Sequence, residues 1–236
     1  MKPQFSRVLL KLSGEGLAGE ARSGIDMATV QKLAGEIAEL QRMQVQVCLV
    51  IGGGNFFRGA KNAGEHMDRS VADQVGMMAT VMNAMIVKSA LESIKVPVTV
   101  FSGLIMPQVC EAYSYRQAMA AVNRGDVVIF AGGTGSPYFT TDTGAALRAT
   151  EMHCEALLKA TQVDGVYDAD PRVEPNAKRY DSISYDEVLH KHLNVMDMTA
   201  ISIMRDNKIP VIIFAQKEEN ALIKAVCGEI RHTIIQ

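Results

Sequence analysis

Apolar residues along the chain fall into short runs that alternate with longer stretches of helical spacing. The run RVLLKLS is rich in β-forming residues and predicts a strand. Asp26 then stands at an N-cap position before MATVQKLAGEIAELQRM, in which Val30, Leu33, Ile37 and Leu40 recur on one helical face. VQVCLVIGGGN predicts a second strand ending in glycines. A long helix from about Val71 to Ile94 follows, with Val75, Met78, Met82 and Ile86 on one stripe. VPVTVF reads as a third strand, SYRQAMAAVNRG as a short helix stopped by Gly125, and DVVIFAGG as a fourth strand. TTDTGAALRATEM opens a helix. CEALLKAT fits helix or strand by pattern, and its place in the alternation argues for a strand. PVIIFA and EIRHTII are further strands, with the helix ENALIKAVCG between them.

Alternating strands and helices, with several strands apolar on both faces, predict an α/β protein. Its sheet is mostly parallel and covered by helices on both sides. The chain holds no repeat, low-complexity tract or linker, so residues 1–236 read as a single domain. The most loop-like stretches are 52–69 and 165–183.

Composition narrows the function classes. At 236 residues and 48% hydrophobic content the chain can bury a sizeable core. A formal net charge of −2 gives no electrostatic footprint for a nucleic-acid polymer or an anionic membrane. Cys48, Cys110, Cys154 and Cys227 form no CxxC pair, so they read as reduced core thiols rather than zinc ligands or disulfides. No stretch reaches the roughly 18 apolar residues of a membrane span, and a cytoplasmic protein is expected.

In a parallel sheet, ligands sit beyond the carboxyl ends of the strands. Three predicted strand ends carry glycine turns: KLSGEG at 11–16, IGGGNFFRG at 51–59 and FAGGTGSPYFTTDTG at 130–144. Glycines let backbone N–H groups approach a ligand closely, and successive N–H groups favour phosphate. Gly14, Gly16 and Gly19 have dinucleotide-turn spacing. That reading also needs a helix opening at the glycines and an acid closing the second strand. Here the helix pattern starts only near Asp26, and the second strand ends in Gly52, Gly53 and Gly54. No GxxxxGK[ST] loop and no HRD or DFG motif occurs. Lys11 sits just before Ser13 and Gly14. Taken alone it also fits a strand-end lysine reaching water. With Arg58 after the second glycine turn, it supplies cations suited to a transferring phosphoryl group. Asp142 fits either a plain helix-start residue or a carboxylate that holds Lys11.

KLSGE, GGGNFFRG, DQVGMMATVMNA, GGTGSPYFTTDTGAALRA and ATQVDGVYDADPR, in this order over nearly the whole chain, resemble the bacterial uridylate kinases of the amino acid kinase family. The resemblance implies a three-layer α/β/α sandwich. It implies ATP-dependent conversion of UMP to UDP in pyrimidine biosynthesis, with Mg2+ carried by ATP and no dedicated protein metal site. It also implies a homohexamer with GTP as activator and UTP as inhibitor. Residues to about 150 would form the acceptor side and residues from about 151 to 236 the ATP side. Carried across, Lys11, Leu12, Ser13, Gly14, Gly54, Arg58, Thr161, Tyr167 and Asp170 would meet ATP. Gly53, Asp73 and the run Thr134, Gly135, Ser136, Pro137, Tyr138, Phe139, Thr140 and Thr141 would meet UMP. Gly19, Glu20, Ala21, Arg22, Ser23 and Gly24 would serve GTP activation. Lys11, Arg58 and Asp142 would be catalytic. Ser136 departs from the family, which often has Asn there. Another kinase of the family, acting on carbamate or acetylglutamate, and a nucleotide-binding regulator without turnover are the alternatives.

Overall fold

The computed structural model describes residues 1–21, 23–57 and 67–236. In chain order the elements are β1 (Arg7–Leu12), α1 (Met27–Arg42), β2 (Gln46–Ile51), α2 (Arg69–Ser93), β3 (Val98–Ser102), β4 (Glu111–Ala112), α3 (Tyr115–Arg124), β5 (Val127–Ala131) and α4 (Thr141–Glu151). They continue as β6 (Ala156–Thr161), β7 (Val166–Tyr167), β8 (Arg179–Tyr180), β9 (Ser182–Ile183), α5 (Tyr185–His190), α6 (Met198–Asp206), β10 (Val211–Ala215), α7 (Ala221–Cys227) and β11 (His232–Ile235). The alternating strands and helices of the sequence reading are present. CEALLKAT is strand β6. The short elements β4, β7, β8, β9, α5 and α6 were not legible. The 165–183 stretch, read as loop, holds the antiparallel β7–β8 hairpin.

One sheet runs β4-β3-β5-β2-β1-β6-β10-β11-β9. It is parallel from β4 to β10, and β11 turns antiparallel to β10. Parallel pairing brings the carboxyl ends of β1, β2, β5 and β6 to one edge, and with them the three glycine turns.

Side chains alternate between the two faces of a strand. On β1, Val8, Leu10 and Leu12 enter one core with Val30, Leu33 and Ile37 of α1, Val81 and Val87 of α2, and α7. Leu9 enters the opposite core with Ala118 of α3, Ala145 and Ala149 of α4, and Ile201 and Met204 of α6. Helices therefore cover both faces, giving three layers. Burying a leucine such as Leu9 or Leu10 contributes about 1.5–3 kcal/mol, and both are fully buried.

The helix ends follow their sequence signals. Asp26 caps α1 by accepting from the Ala28 N–H at 3.1 Å, and Gly125 ends α3 in the left-handed region at φ 94°. The predicted Met78 and Met82 stripe of α2 lies on the side away from the core; these residues are 45% and 48% exposed, while Val81, Ala84, Val87 and Leu91 are buried. The helix is apolar nearly all round, so periodicity did not choose a face. By length and composition α2 could also cross a membrane, but its Val81–Leu91 side is built into the core. Cys48, Cys154 and Cys227 are buried free thiols, and Cys110 is partly buried and free.

Candidate active site

Strand alternation and register together build the centre of the site. Leu9 and Leu157 face the α4 side of the sheet, so the residues two positions on, Lys11 and Lys159, face it too. Parallel pairing sets Lys11 directly beside Lys159. Two neighbouring ammonium groups repel, and a single carboxylate relieves this. Asp142, in the first turn of α4, places Oδ1 2.7 Å from Lys11 Nζ and Oδ2 2.7 Å from Lys159 Nζ. Lys159 donates a directed hydrogen bond, whereas the Lys11 contact is an ion pair without hydrogen-bond alignment. Lys159 Nζ also donates to the Val195 carbonyl.

Burial would raise the Asp142 pKa, but Lys11 and then Lys159 outweigh it and hold the carboxyl below the usual aspartate value. Burial lowers the Lys159 pKa, with Lys11 adding to the drop and Asp142 opposing it. Asp142 thus serves two cations, and Asp197 is a second carboxylate acting on Lys159.

The helix start is braced from outside. Thr140 Oγ1 accepts the N–H groups of Asp142 and Thr143 at 3.0 and 3.1 Å, a cap worth about 1 kcal/mol. Thr140 Oγ1 donates to Asp197, which also accepts from Thr143 Oγ1 at 2.8 Å and caps α6 through the Ala200 N–H at 3.0 Å. Asp197 thus fixes α4 to α6 beside the lysines.

The glycine turns lie around this centre. A Cβ on Gly14 would sit 2.3 Å from the Gly52 carbonyl, so only glycine lets the β1 and β2 turns meet. Gly135 has φ 82°, and a Cβ there would lie 2.7 Å from the Gly103 carbonyl. Gly53 packs on α2 beside Gly76 and Ala79, and Gly54 neighbours Glu15. Leu12 is sealed in the core, so only its backbone is available to a ligand. Ser13 precedes a 3-10 turn, Gly14–Leu17, and no α-helix opens at Gly19. That removes the dinucleotide reading on geometry.

On the α2 side, Asp73 Oδ2 accepts from the Tyr138 N–H at 2.8 Å and from Arg69 Nε at 2.8 Å. The Arg69 guanidinium lies 5.6 Å from the Tyr138 ring centre. Asp73 therefore holds the tip of the 134–141 loop, where Tyr138 sits at φ 70°. Thr134 Oγ1 accepts from the Ser136 N–H at 3.2 Å, a local turn bond. Pro137 and Thr141 are partly buried, and Phe139 is exposed.

Beyond β6, Thr161 closes its own turn by accepting from the Val163 N–H at 3.0 Å. The hydrogen bond to Asp164, then burial, raise the Tyr167 hydroxyl pKa. Arg172 holds the exposed Asp170 carboxyl down to about 2. A cavity of about 980 Å³ opens between the β1 turn and the ends of β6 and β10, lined by Gly16, Gly19, Gln162, Arg172, Gln216 and Lys217 among others. Thr161, Tyr167 and Asp170 border it in sequence but do not line it; their neighbours Gln162 and Arg172 do. Gly19 and Glu20 of the 19–24 segment line the same cavity. Ala21 and Ser23 are exposed, and Gly24 donates its N–H to the Asn55 carbonyl at 3.0 Å. Arg58 and Arg22 lie outside the described residues.

Sequence reasoning placed Asp142 beside Lys11, where the ion pair has it, and gave no part to Lys159 or Asp197. A signal for Lys159 existed: ALLKAT repeats the lone lysine of VLLKL within a second apolar strand.

Residues 6–215 match the Amino acid kinase family. A uridylate kinase of Hyphomonas neptunium is 52% identical over 234 residues, covering 99% of this chain and 93% of that protein. A uridylate kinase of Erythrobacter litoralis is also 52% identical, covering 99% and 98%. Among solved structures, a UMP kinase from Ureaplasma parvum superposes with a TM-score of 0.93 at 35% identity over 100% of both chains. A uridylate kinase from Archaeoglobus fulgidus gives 0.73 at 32% identity, covering 97% of this chain and 99% of that one. A matching family model, a superposable fold and half-identical relatives along nearly the whole length leave one assignment: the chain belongs to the amino acid kinase family.

Proposed function

We infer that this protein transfers the terminal phosphoryl group of ATP to UMP, yielding ADP and UDP. The observation that carries the phosphoryl-transfer part is the Lys11–Asp142–Lys159 centre at the rim of the glycine turns. The choice of UMP as acceptor is supported by the uridylate kinases that this chain resembles in sequence and in fold.

The acceptor phosphate is already anionic near neutral pH, so the reaction needs no general base. The bond from the γ-phosphorus to the β,γ-bridging oxygen breaks, and a UMP phosphate oxygen forms the new bond. Negative charge grows on the leaving ADP oxygen and stays spread over the transferring group. Lys11 and Lys159 approach that group from adjacent strands, and Asp142 keeps both ammonium groups aimed. Asp142 takes no proton, since its carboxyl is held below the ordinary aspartate range.

Asp73, the 134–141 loop and Gly53 form the acceptor side, and the chain from about 151 onward, with Gly14 and Gly54, forms the donor side. The 980 Å³ cavity beside Gln162 and Gln216 is proposed for the donor's nucleoside only; its lining carries Glu15, Glu20, Asp26 and Glu36, so the phosphates are assigned outside it, toward Lys11 and Lys159. Arg58 is proposed as a further cation. Mg2+ fits as an ion chelated by ATP, because each Asp142 oxygen is already paired with a lysine. When bound, it supplies further charge neutralisation on the phosphates. The exposed Val71, Met78 and Met82 stripe on α2 supports a homo-oligomer, here a hexamer. Regulation by GTP through 19–24, inhibition by UTP, and a cytoplasmic location belong to the same reading.

The test is ADP release by purified protein with Mg-ATP and, separately, UMP, CMP, dTMP, AMP, carbamate and acetylglutamate. UMP-selective turnover is the expected result. Release with carbamate or acetylglutamate instead moves the assignment within the family, and no turnover with any acceptor removes it.

A further inference from the structure

Asn83 lies mid-way along α2 and is 0% exposed. Asparagine is a poor helix former, and a buried amide with unmet hydrogen bonds is costly. Here none is unmet. Asn83 Nδ2 donates to the Gly52 carbonyl at 2.7 Å and to Asn55 Oδ1 at 2.8 Å. Asn55, 4% exposed, returns the bond: its Nδ2 donates to Asn83 Oδ1 at 3.0 Å and to the Gly24 carbonyl at 2.9 Å. All four amide hydrogens of the pair have acceptors. Gly14 closes the arrangement, since a Cβ there would lie 2.3 Å from Asn55 Oδ1 and 3.0 Å from Asn83 Nδ2.

Three segments therefore meet on one buried amide pair: the β1 turn at Gly14, the β2 turn at Gly52, and the end of the 19–24 segment at Gly24. A peptide unit is planar and trans, so its C=O and N–H point in opposite directions. Anchoring the Gly52 carbonyl on Asn83 turns the Gly53 N–H away from Asn83. Among the described residues that N–H has no protein acceptor.

We propose that Asn83, acting through Asn55, is a positioning residue for phosphoryl transfer. It fixes the β2 glycine turn against the β1 turn and ties both to Gly24. The inference rests on the phosphoryl-transfer reading and adds residues that touch neither nucleotide. The β1 turn flanks the donor and the β2 turn carries Gly53 on the acceptor side and Gly54 on the donor side, so loosening their register affects the alignment of the phosphates more than the binding of either nucleotide.

The test compares Asn83→Asp with Val87→Ala. Aspartate keeps the shape but has no amide hydrogens for Gly52 and Asn55. Val87 is buried one turn further along α2, outside the pair, and reports plain loss of packing. Asn83→Asp should lower kcat per folded molecule about 10- to 100-fold while each KM moves less than about threefold. Val87→Ala should lower the melting temperature and keep kcat near the unsubstituted value. Hydrogen exchange provides a readout without turnover: the Gly24 and Gly52 N–H groups should exchange faster together in Asn83→Asp and not in Val87→Ala. An Asn83→Asp enzyme with unchanged kcat, or with faster exchange confined to α2, overturns the proposal. Should that variant fail to fold, Asn55→Asp replaces it. Asn55→Asp keeps an acceptor for Asn83 but releases the Gly24 carbonyl, so kcat should fall about threefold to tenfold with faster exchange at Gly24. No change in either measure overturns the proposal equally. An unsubstituted protein inactive toward UMP defeats the activity reading alone, because the exchange measurement still tests the amide pair.

Discussion

At the proposed transfer centre, Lys11, Asp142 and Lys159 expose 12%, 15% and 12% of their side chains. At the proposed acceptor rim, Tyr138 and Phe139 are 66% and 51% exposed. The centre is braced by β1, β6, α4 and, through Asp197, α6. The rim is a loop held at its tip by one backbone hydrogen bond to Asp73. The difference separates two tasks. Groups that stabilise a transition state must already be in place when charge develops, because reorganisation at that moment is lost rate. Groups that recognise a nucleotide must let it in and out, so they sit on segments with few anchors.

The sharpest way to break this comparison is to remove a cation from the centre. Lys11→Ala and Lys159→Ala should each lower kcat by about 10²–10³, the usual cost of one transition-state donor. Steady-state kinetics with UMP and Mg-ATP measures it. A Lys159→Ala enzyme with near-normal kcat would mean that Lys159 is a structural partner of Asp142 only.

A smaller effect is expected at the rim. Asp73→Asn keeps the size of the side chain but weakens the charge-assisted bond to the Tyr138 N–H and the pairing with Arg69. The KM for UMP should rise about tenfold, equivalent to about 1.4 kcal/mol, with kcat little changed. If kcat fell and KM held, the rim would be part of the chemistry and the division would fail.

The smallest effect is a matter of pH. Lys159 has a lowered folded pKa, so kcat should decline on the basic side below the usual lysine range. In Lys159→Arg, whose guanidinium keeps its proton, that decline should move upward in the remaining activity. Both lowered pKa values make stability rise with pH, in the acid range for Asp142 and in the basic range for Lys159. For Asp142 the lowered folded pKa gives stability fully present above the unfolded aspartate value and lost as pH falls through the folded value. For Lys159 the unfolded chain binds more protons between the folded and unfolded values, so its contribution rises with pH in that window. Melting temperature followed against pH checks both.

The layers and their order were legible because both-face apolar strands and capped amphipathic helices carry strong local signals. β7, β8 and β9 were not legible: each is two residues long and defined by its partner rather than by its own pattern. Lys11 stood out because glycines follow it. Lys159 did not, because its importance comes from register, and pairing between strands distant in sequence is a property of the sheet. Asn83 was hidden for a related reason. In a helix apolar nearly all round, one polar residue reads as ordinary until the buried amide of Asn55 is found facing it.

Lys11 and Lys159 share a side of the sheet only because each lies two residues beyond a leucine of the α4-side core, Leu9 and Leu157. A single-residue insertion or deletion between Leu9 and Lys11, or between Leu157 and Lys159, would turn that ammonium toward the core of α1, α2 and α7. Changes of length should therefore be tolerated in the connecting loops and rejected inside these two strands, except in pairs. A library of single-codon indels scored for growth would show that two-residue rhythm directly.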